Sequence, residues 1–242
     1  MSGGGLMNFE VNLAPFREPR GFIKVLQWFF AILAFSTTVS FTTEFGFTLP
    51  CPVNNGTQVI RQTVEYPFEM DHYPTVKVDK TCVAGGLEIV FFGNARSDAQ
   101  YYVCTGVLSF LYAMIGGVLY LLYEKVYQTN NKVPLIDFVV TLVLAIFWIS
   151  AIAAFGKGVS TMSHATSPST VYEYNHHKQS TLPEFTRIIE PSYSKLVVSI
   201  LFGVINFVLW TGNLWFLYKE TTWFESIMKH TSGGGGHSSS NI

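Results

Sequence analysis

The sequence predicts an all-α membrane protein, a four-transmembrane-helix bundle with a small disulfide-stapled luminal β-rich loop. Three observations point there. The chain of 242 residues is 49% hydrophobic and only 13% charged, against a charged share of roughly 25% in ordinary soluble domains. Its apolar residues gather into four stretches, each long enough to cross the hydrocarbon of a bilayer, about 30 Å, which takes roughly 20 residues of helix. The polar stretch between the first two is too long for a plain connector and carries strand-like patterning.

The first span is expected over 22–41, behind a polar head (1–21). It is too long for the apolar core of a cleavable signal and reads as a signal anchor that stays. The opening MSGGG lacks the glycine at position 2 that myristoylation requires. The second span, 101–123, and the fourth, 196–218, contain no charge, and the third, 134–155, holds Asp137 near its start. Core helices of soluble proteins usually stop after three or four turns, and these stretches have no polar face. The membrane domain therefore occupies 22–218, and 219–242 is a short flexible tail ending in SGGGGHSSSNI.

An even number of spans places head and tail on one side. Lys and Arg divide almost evenly between the two sides, so their positions decide. Arg17, Arg20 and Lys24 crowd the entry to the first span, and nothing basic follows before Arg61, which favours a cytosolic head. Asn55-Gly56-Thr57 is a glycosylation sequon, usable only in the lumen. Cys51 and Cys82 share the same long loop and are expected to pair in an oxidising compartment, two free thiols being the alternative. Cys104 falls inside the second span and reads as a small buried hydrophobe. In the loop, 58–64 partly alternates and 87–92 (LEIVFF) is a short apolar run bounded by glycines, which together predict a small antiparallel sheet.

Small residues recur every four positions at Thr105, Ser109, Ala113 and Gly117, and again at Ser150, Ala154 and Gly158. Such stripes let helix backbones approach in lipid and are expected at helix–helix seams. Asn206 and Asn213 are polar groups inside the fourth span that can bridge helices. Lys24 and Asp137 sit at membrane edges, where they pair or reach for the interface. A proton or ion path within one chain calls for several acids or histidines near the midplane, and the sequence has none there. No phosphate loop, nucleophile elbow or HExxH is present, so neither catalytic residues nor a cofactor are expected. Net charge is -1, with no basic surface for nucleic acid. His176-His177 is a poor metal site, because adjacent residues point apart. Tyr123-Glu124-Lys125-Val126 matches a tyrosine sorting signal but abuts the membrane.

Five strings resemble one known family. They are 17–28 (REPRGFIKVLQW), 65–68 (EYPF), 97–103 (SDAQYYV), 130–138 (NNKVPLIDF), and 202–216 (FGVINFVLWTGNLWF) with Lys219-Glu220-Thr221. In this order they are similar to the helix entries, luminal-loop signature and fourth helix of the synaptophysins. The resemblance implies a MARVEL-type bundle in secretory or synaptic vesicles. It also implies a role in vesicle trafficking, cholesterol-rich membrane, homo-oligomers and binding to the vesicle SNARE synaptobrevin. Two departures limit it. The second luminal loop lacks the cysteine pair usual in that family, and the tail lacks the long Tyr/Gly-rich extension of neuronal members. An oligomeric channel or transporter, or a junction-type adhesion protein, remains the alternative. Claudin, connexin and tetraspanin signatures are missing from the loops.

Overall fold

In the computed structural model, which describes residues 19–122, 132–177 and 183–220, the first span is helix α1 (Pro19–Val39) and the second is α2 (Arg96–Leu122). The third is α3 (Lys132–Ala165). A short helix, α4 (Pro168–His176), follows it, and α5 (Ser194–Glu220) completes the bundle. In hydrocarbon a backbone N–H or C=O finds no water, so a crossing segment must satisfy itself as a helix. Helices α1 and α3 each pack against both α2 and α5, giving a closed four-helix ring. Its outer surface carries large apolar side chains such as Ile115, Ile146, Leu201 and Val208, whereas Ala31, Ala34 and Ala151 are buried inside. Small residues at the centre let the backbones approach, and the bulky ones meet lipid tails.

Helix α3 has 34 residues, about 50 Å of rise at 1.5 Å per residue. It therefore stands well clear of the hydrocarbon, where the sequence places an irregular loop after residue 155. Its end supports the extramembrane module.

That module contains β1 (Thr42–Cys51), β2 (Gly56–Glu65), β3 (Val76–Val78), β4 (Leu87–Ile89) and β5 (Thr186–Ile189). The main sheet is antiparallel in the order β2-β1-β5, and β3 pairs with β4. In β1, Phe45, Phe47 and Leu49 are buried on one face, the period-2 pattern of a half-buried strand. The β1–β2 hairpin closes with Cys51 opposite Gly56. Its turn is stabilised by the Gly56 N–H donating to Asn54 Oδ1 at 2.9 Å. The central strand also needs a glycine. A Cβ on Gly46 would lie 3.1 Å from the Ile60 carbonyl and 3.2 Å from Ile189 Cδ1, where β5 crosses. The sheet thus recruits a strand from the second loop, although the sequence reading builds it from the first loop alone. In the 87–92 run only Leu87–Ile89 is strand; Phe91 turns into the core, and Phe92 stacks on Tyr174 with ring centroids 4.5 Å apart.

Cys51 and Cys82 form a disulfide across 31 residues. The module is tied to the helices by further contacts. Arg96 Nη1 donates to Glu69 Oε1 at 2.6 Å, and Asn94 Nδ2 donates to Asp71 Oδ2 at 3.0 Å. Asn175 of α4 accepts from the Val90 N–H and donates to the Val90 carbonyl at 2.9 and 3.0 Å. Gly93, at φ 109°, leaves 2.8 Å between an ideal Cβ and Ala165 Cβ, so a side chain there would collide with the end of α3.

Candidate functional site: a buried polar cluster at the meeting of four helices

The four spans converge on one charge pair. Lys24, in the second turn of α1, places Nζ 3.2 Å from Asp137 Oδ1 in α3, with side-chain exposures of 11% and 16%. The same carboxylate oxygen accepts from Tyr112 of α2 at 2.7 Å and from Thr141, one turn along α3, at 3.4 Å. The ammonium also lies over the Tyr112 ring at 5.0 Å and over the Trp210 ring of α5 at 5.4 Å. A desolvated cation gains from both faces. Of the two roles left open for these charges, pairing is the one observed. Tyr112 and Trp210, which the sequence reading did not single out, complete the site.

Gln27 lies one turn deeper on α1 and donates through Nε2 to the Leu209 carbonyl of α5 at 3.2 Å. Asn206 and Asn213 of α5 are 0% and 1% exposed, inside the bundle of a single chain. Asn206 Nδ2 bonds back to the Phe202 carbonyl at 3.1 Å. Toward the loop-bearing face the polar groups form a second knot. Tyr102 donates to the Ser199 carbonyl at 2.5 Å. Ser199 Oγ donates to the Ala34 carbonyl at 2.7 Å and shares a hydrogen bond with Thr38 Oγ1 at 2.7 Å. The Tyr102 ring stacks on Phe155 at 4.6 Å and meets Trp148 edge-on at 5.7 Å.

The small-residue stripes divide. Thr105, Ser109 and Ala113 are buried, but a Cβ on Gly117 would meet nothing within 4 Å. Instead, Gly117 borders a crevice of about 180 Å³ between α1 and α2, lined also by Trp28, Met114 and Val118. This corrects the expectation that the whole stripe packs on a helix. In the other stripe, an ideal Cβ on Gly158 lies 3.2 Å from both Ala95 Cβ and Asp98 Cβ. Ser150 shares a 2.7 Å hydrogen bond with Tyr101, and Ala154 is half-buried between them. Between the spans, the tightest approaches occur at glycines outside both stripes: an ideal Cβ on Gly203 would lie 2.7 Å from Tyr102 Oη, and one on Gly106 3.1 Å from Phe35 Cβ. Spacing by four cannot find these, because they depend on the partner helix. Cys104 is exposed on the outer face of α2, correcting the expectation of a buried thiol. Asn55 is exposed at the hairpin tip. The Tyr123 motif and the tail beyond Glu220 lie outside the described residues.

A family model for the membrane-associating MARVEL domain matches residues 15–216. The chain belongs to the MARVEL family. That match runs from the entry of α1 nearly to the end of α5 and takes in the loop module between them. The protein is a multi-pass membrane protein of a membrane-associating family that is not a known enzyme family.

Proposed function

We propose that this MARVEL protein is a non-enzymatic, synaptophysin-like organiser of secretory or synaptic vesicle membranes. It acts in trafficking through self-association and binding of a synaptobrevin-type vesicle SNARE, in cholesterol-rich membrane. The observation that carries this reading is the family match over 15–216, and the synaptophysin-like strings up to residue 216 fall within it, at three helix entries, in the loop module and along α5. In this reading the termini face the cytosol, the sheet module faces the lumen, and Asn55 carries an N-glycan. A channel or transporter is the second reading, favoured by the polar side chains buried along the bundle axis.

The activity is assigned to the bundle and not to the tail. A chain truncated after Trp223 is expected to reach small vesicles and to co-purify with a synaptobrevin-type SNARE from mild detergent. Asn206→Leu with Asn213→Leu is expected to weaken assembly only partly, since both amides are buried inside the bundle and the Asn206 amide bonds to a carbonyl of its own helix. If truncation abolishes both vesicle targeting and SNARE recovery while the Asn substitutions leave both intact, the activity belongs to the tail and this reading is wrong.

A further inference from the structure

The buried polar groups of the spans fall into two sets by depth. Near the loop-bearing face, Thr38, Ser199 and Tyr102 are paired with one another and with backbone carbonyls, and Thr105 bonds to the Tyr101 carbonyl. Elsewhere in the bundle interior the pattern reverses. Gln27 Oε1, Ser109 Oγ, Asn206 Oδ1, Asn213 Nδ2 and the ring N–H groups of Trp148 and Trp210 are buried without a hydrogen-bond partner among the described residues.

Helix faces and contacts connect several of these groups. Asn206, Trp210 and Asn213 stand at i, i+4 and i+7 on one face of α5. Gln27 reaches that face at the Leu209 carbonyl. Tyr112 packs against Trp210 at 6.0 Å, and Ser109 is one turn from Tyr112 on α2. Trp148 meets Tyr102 of the knot.

A membrane interior supplies no partner of its own, and native proteins pair nearly all buried polar groups with protein or with ordered water. The chemistry of these groups selects the occupant. They offer carbonyl acceptors at Gln27 and Asn206, N–H donors at Asn213, Trp210 and Trp148, and a hydroxyl that does both. An ion of either sign would face groups of the wrong polarity, whereas water both donates and accepts. We infer that the bundle of a single chain encloses a one-sided file of ordered water. It is entered beside Lys24 and Asp137 at the face of Pro19 and Glu220, and closed at the opposite end by the Tyr102–Ser199–Thr38 knot. Lys24 and Asp137 keep partial exposure, and they are the charged groups at that end of the bundle.

Hydroxyl radicals generated by radiolysis of water label side chains that touch water, and the full chain in lipid nanodiscs is the sample. After correction for intrinsic reactivity, Trp210 and Trp148 are expected to be oxidised several-fold faster than Tyr102 and Phe155. They should also exceed Trp28, which faces the outer surface. The double variant Gln27→Leu/Asn213→Leu should reduce Trp210 and Trp148 labelling several-fold and leave the loop tyrosines unchanged. Should that variant not fold, the comparison within the native chain decides. Labelling of Trp210 and Trp148 no faster than Tyr102 and Phe155 would mean a dry bundle and overturn the inference. Equal, rapid labelling of Tyr102 would mean that water passes through, and would overturn the closure.

Discussion

Lys24 and Asp137 show how much a single pair of side chains can concentrate. A buried ion pair is weak evidence of stability, but removing one partner strands the other charge, which costs roughly 3–5 kcal/mol. Partial exposure of both groups places the expected loss for Asp137→Asn or Lys24→Met toward the lower end of that range. The double variant Lys24→Met/Asp137→Leu should recover part of it, because neither member of the pair then remains charged. Thermal unfolding of the purified chain in one detergent, compared across the three variants, checks both statements. Glycines provide a second test at this scale. Gly203→Ala should destabilise by about 1–3 kcal/mol through overpacking, since its methyl would press on the hydrogen-bonded Tyr102 hydroxyl. Gly117→Ala should be close to neutral, because its methyl enters the open crevice. Equal losses at the two sites would contradict the packing described.

Among the elements, the β1–β2 hairpin depends most on covalent help. Its disulfide closes a 31-residue separation, worth about 3–4 kcal/mol in the chain-entropy account. Cys51→Ala/Cys82→Ala should therefore sharply raise hydrogen exchange in the hairpin while the helices stay protected. Non-reducing mass spectrometry of the native chain should find that one linkage and a free Cys104. The module also has a pH signature. Burial raises the phenol of Tyr73 above its ordinary value of 10.0 and does the same to Tyr193, where the bond to Thr166 opposes it in part. A raised folded-state pKa means that the stabilisation is fully present below about pH 10 and is lost as pH rises through the shifted values. Tyrosinate absorbance should thus show a late-titrating fraction in the folded chain, and the module should loosen as that fraction ionises. Asp71 behaves oppositely. The amide of Asn94 holds its carboxyl below the usual range, so that tie is present above the ordinary carboxylate pKa and lost as pH falls through the lowered value.

For the whole molecule, the arrangement to test is the sidedness. With four crossings the described ends, Pro19 and Glu220, share one face, and the sheet module occupies the other. Sealed vesicles treated with external protease should lose both termini and keep the sheet module intact if the face of Pro19 and Glu220 is cytosolic. Asn55→Gln should then remove a glycosidase-sensitive mobility shift, since the hairpin tip is exposed. A tail protected from the external protease, or a glycan retained after the substitution, would overturn the orientation. The fastening of the module to the ends of α2, α3 and α5 makes the two layers one mechanical unit. Strain applied to the sheet should reach the helix ends through Gly93, Asn175 and Tyr193.

The four spans, their order and the disulfide candidates were legible because each rests on local chemistry. A run of apolar residues must become helix in lipid whatever its neighbours do, and two cysteines in one extramembrane loop have few other partners. The strand at 56–65 was legible in the same way, from its partial alternation. What only the tertiary structure decided depends on which surfaces meet. β5 is four residues long and becomes strand by docking on β1, not by its own pattern. Gly203 matters because Tyr102 of another helix reaches it, while Gly117, spaced like a seam residue, faces open space. Lys24, Tyr112, Asp137 and Trp210 lie far apart along the chain and on four different helices, and only the closing of the bundle turns them into one site. Helical periodicity records which residues share a face; it carries no information about which other face will cover them, and that pairing is what makes the polar axis of this protein.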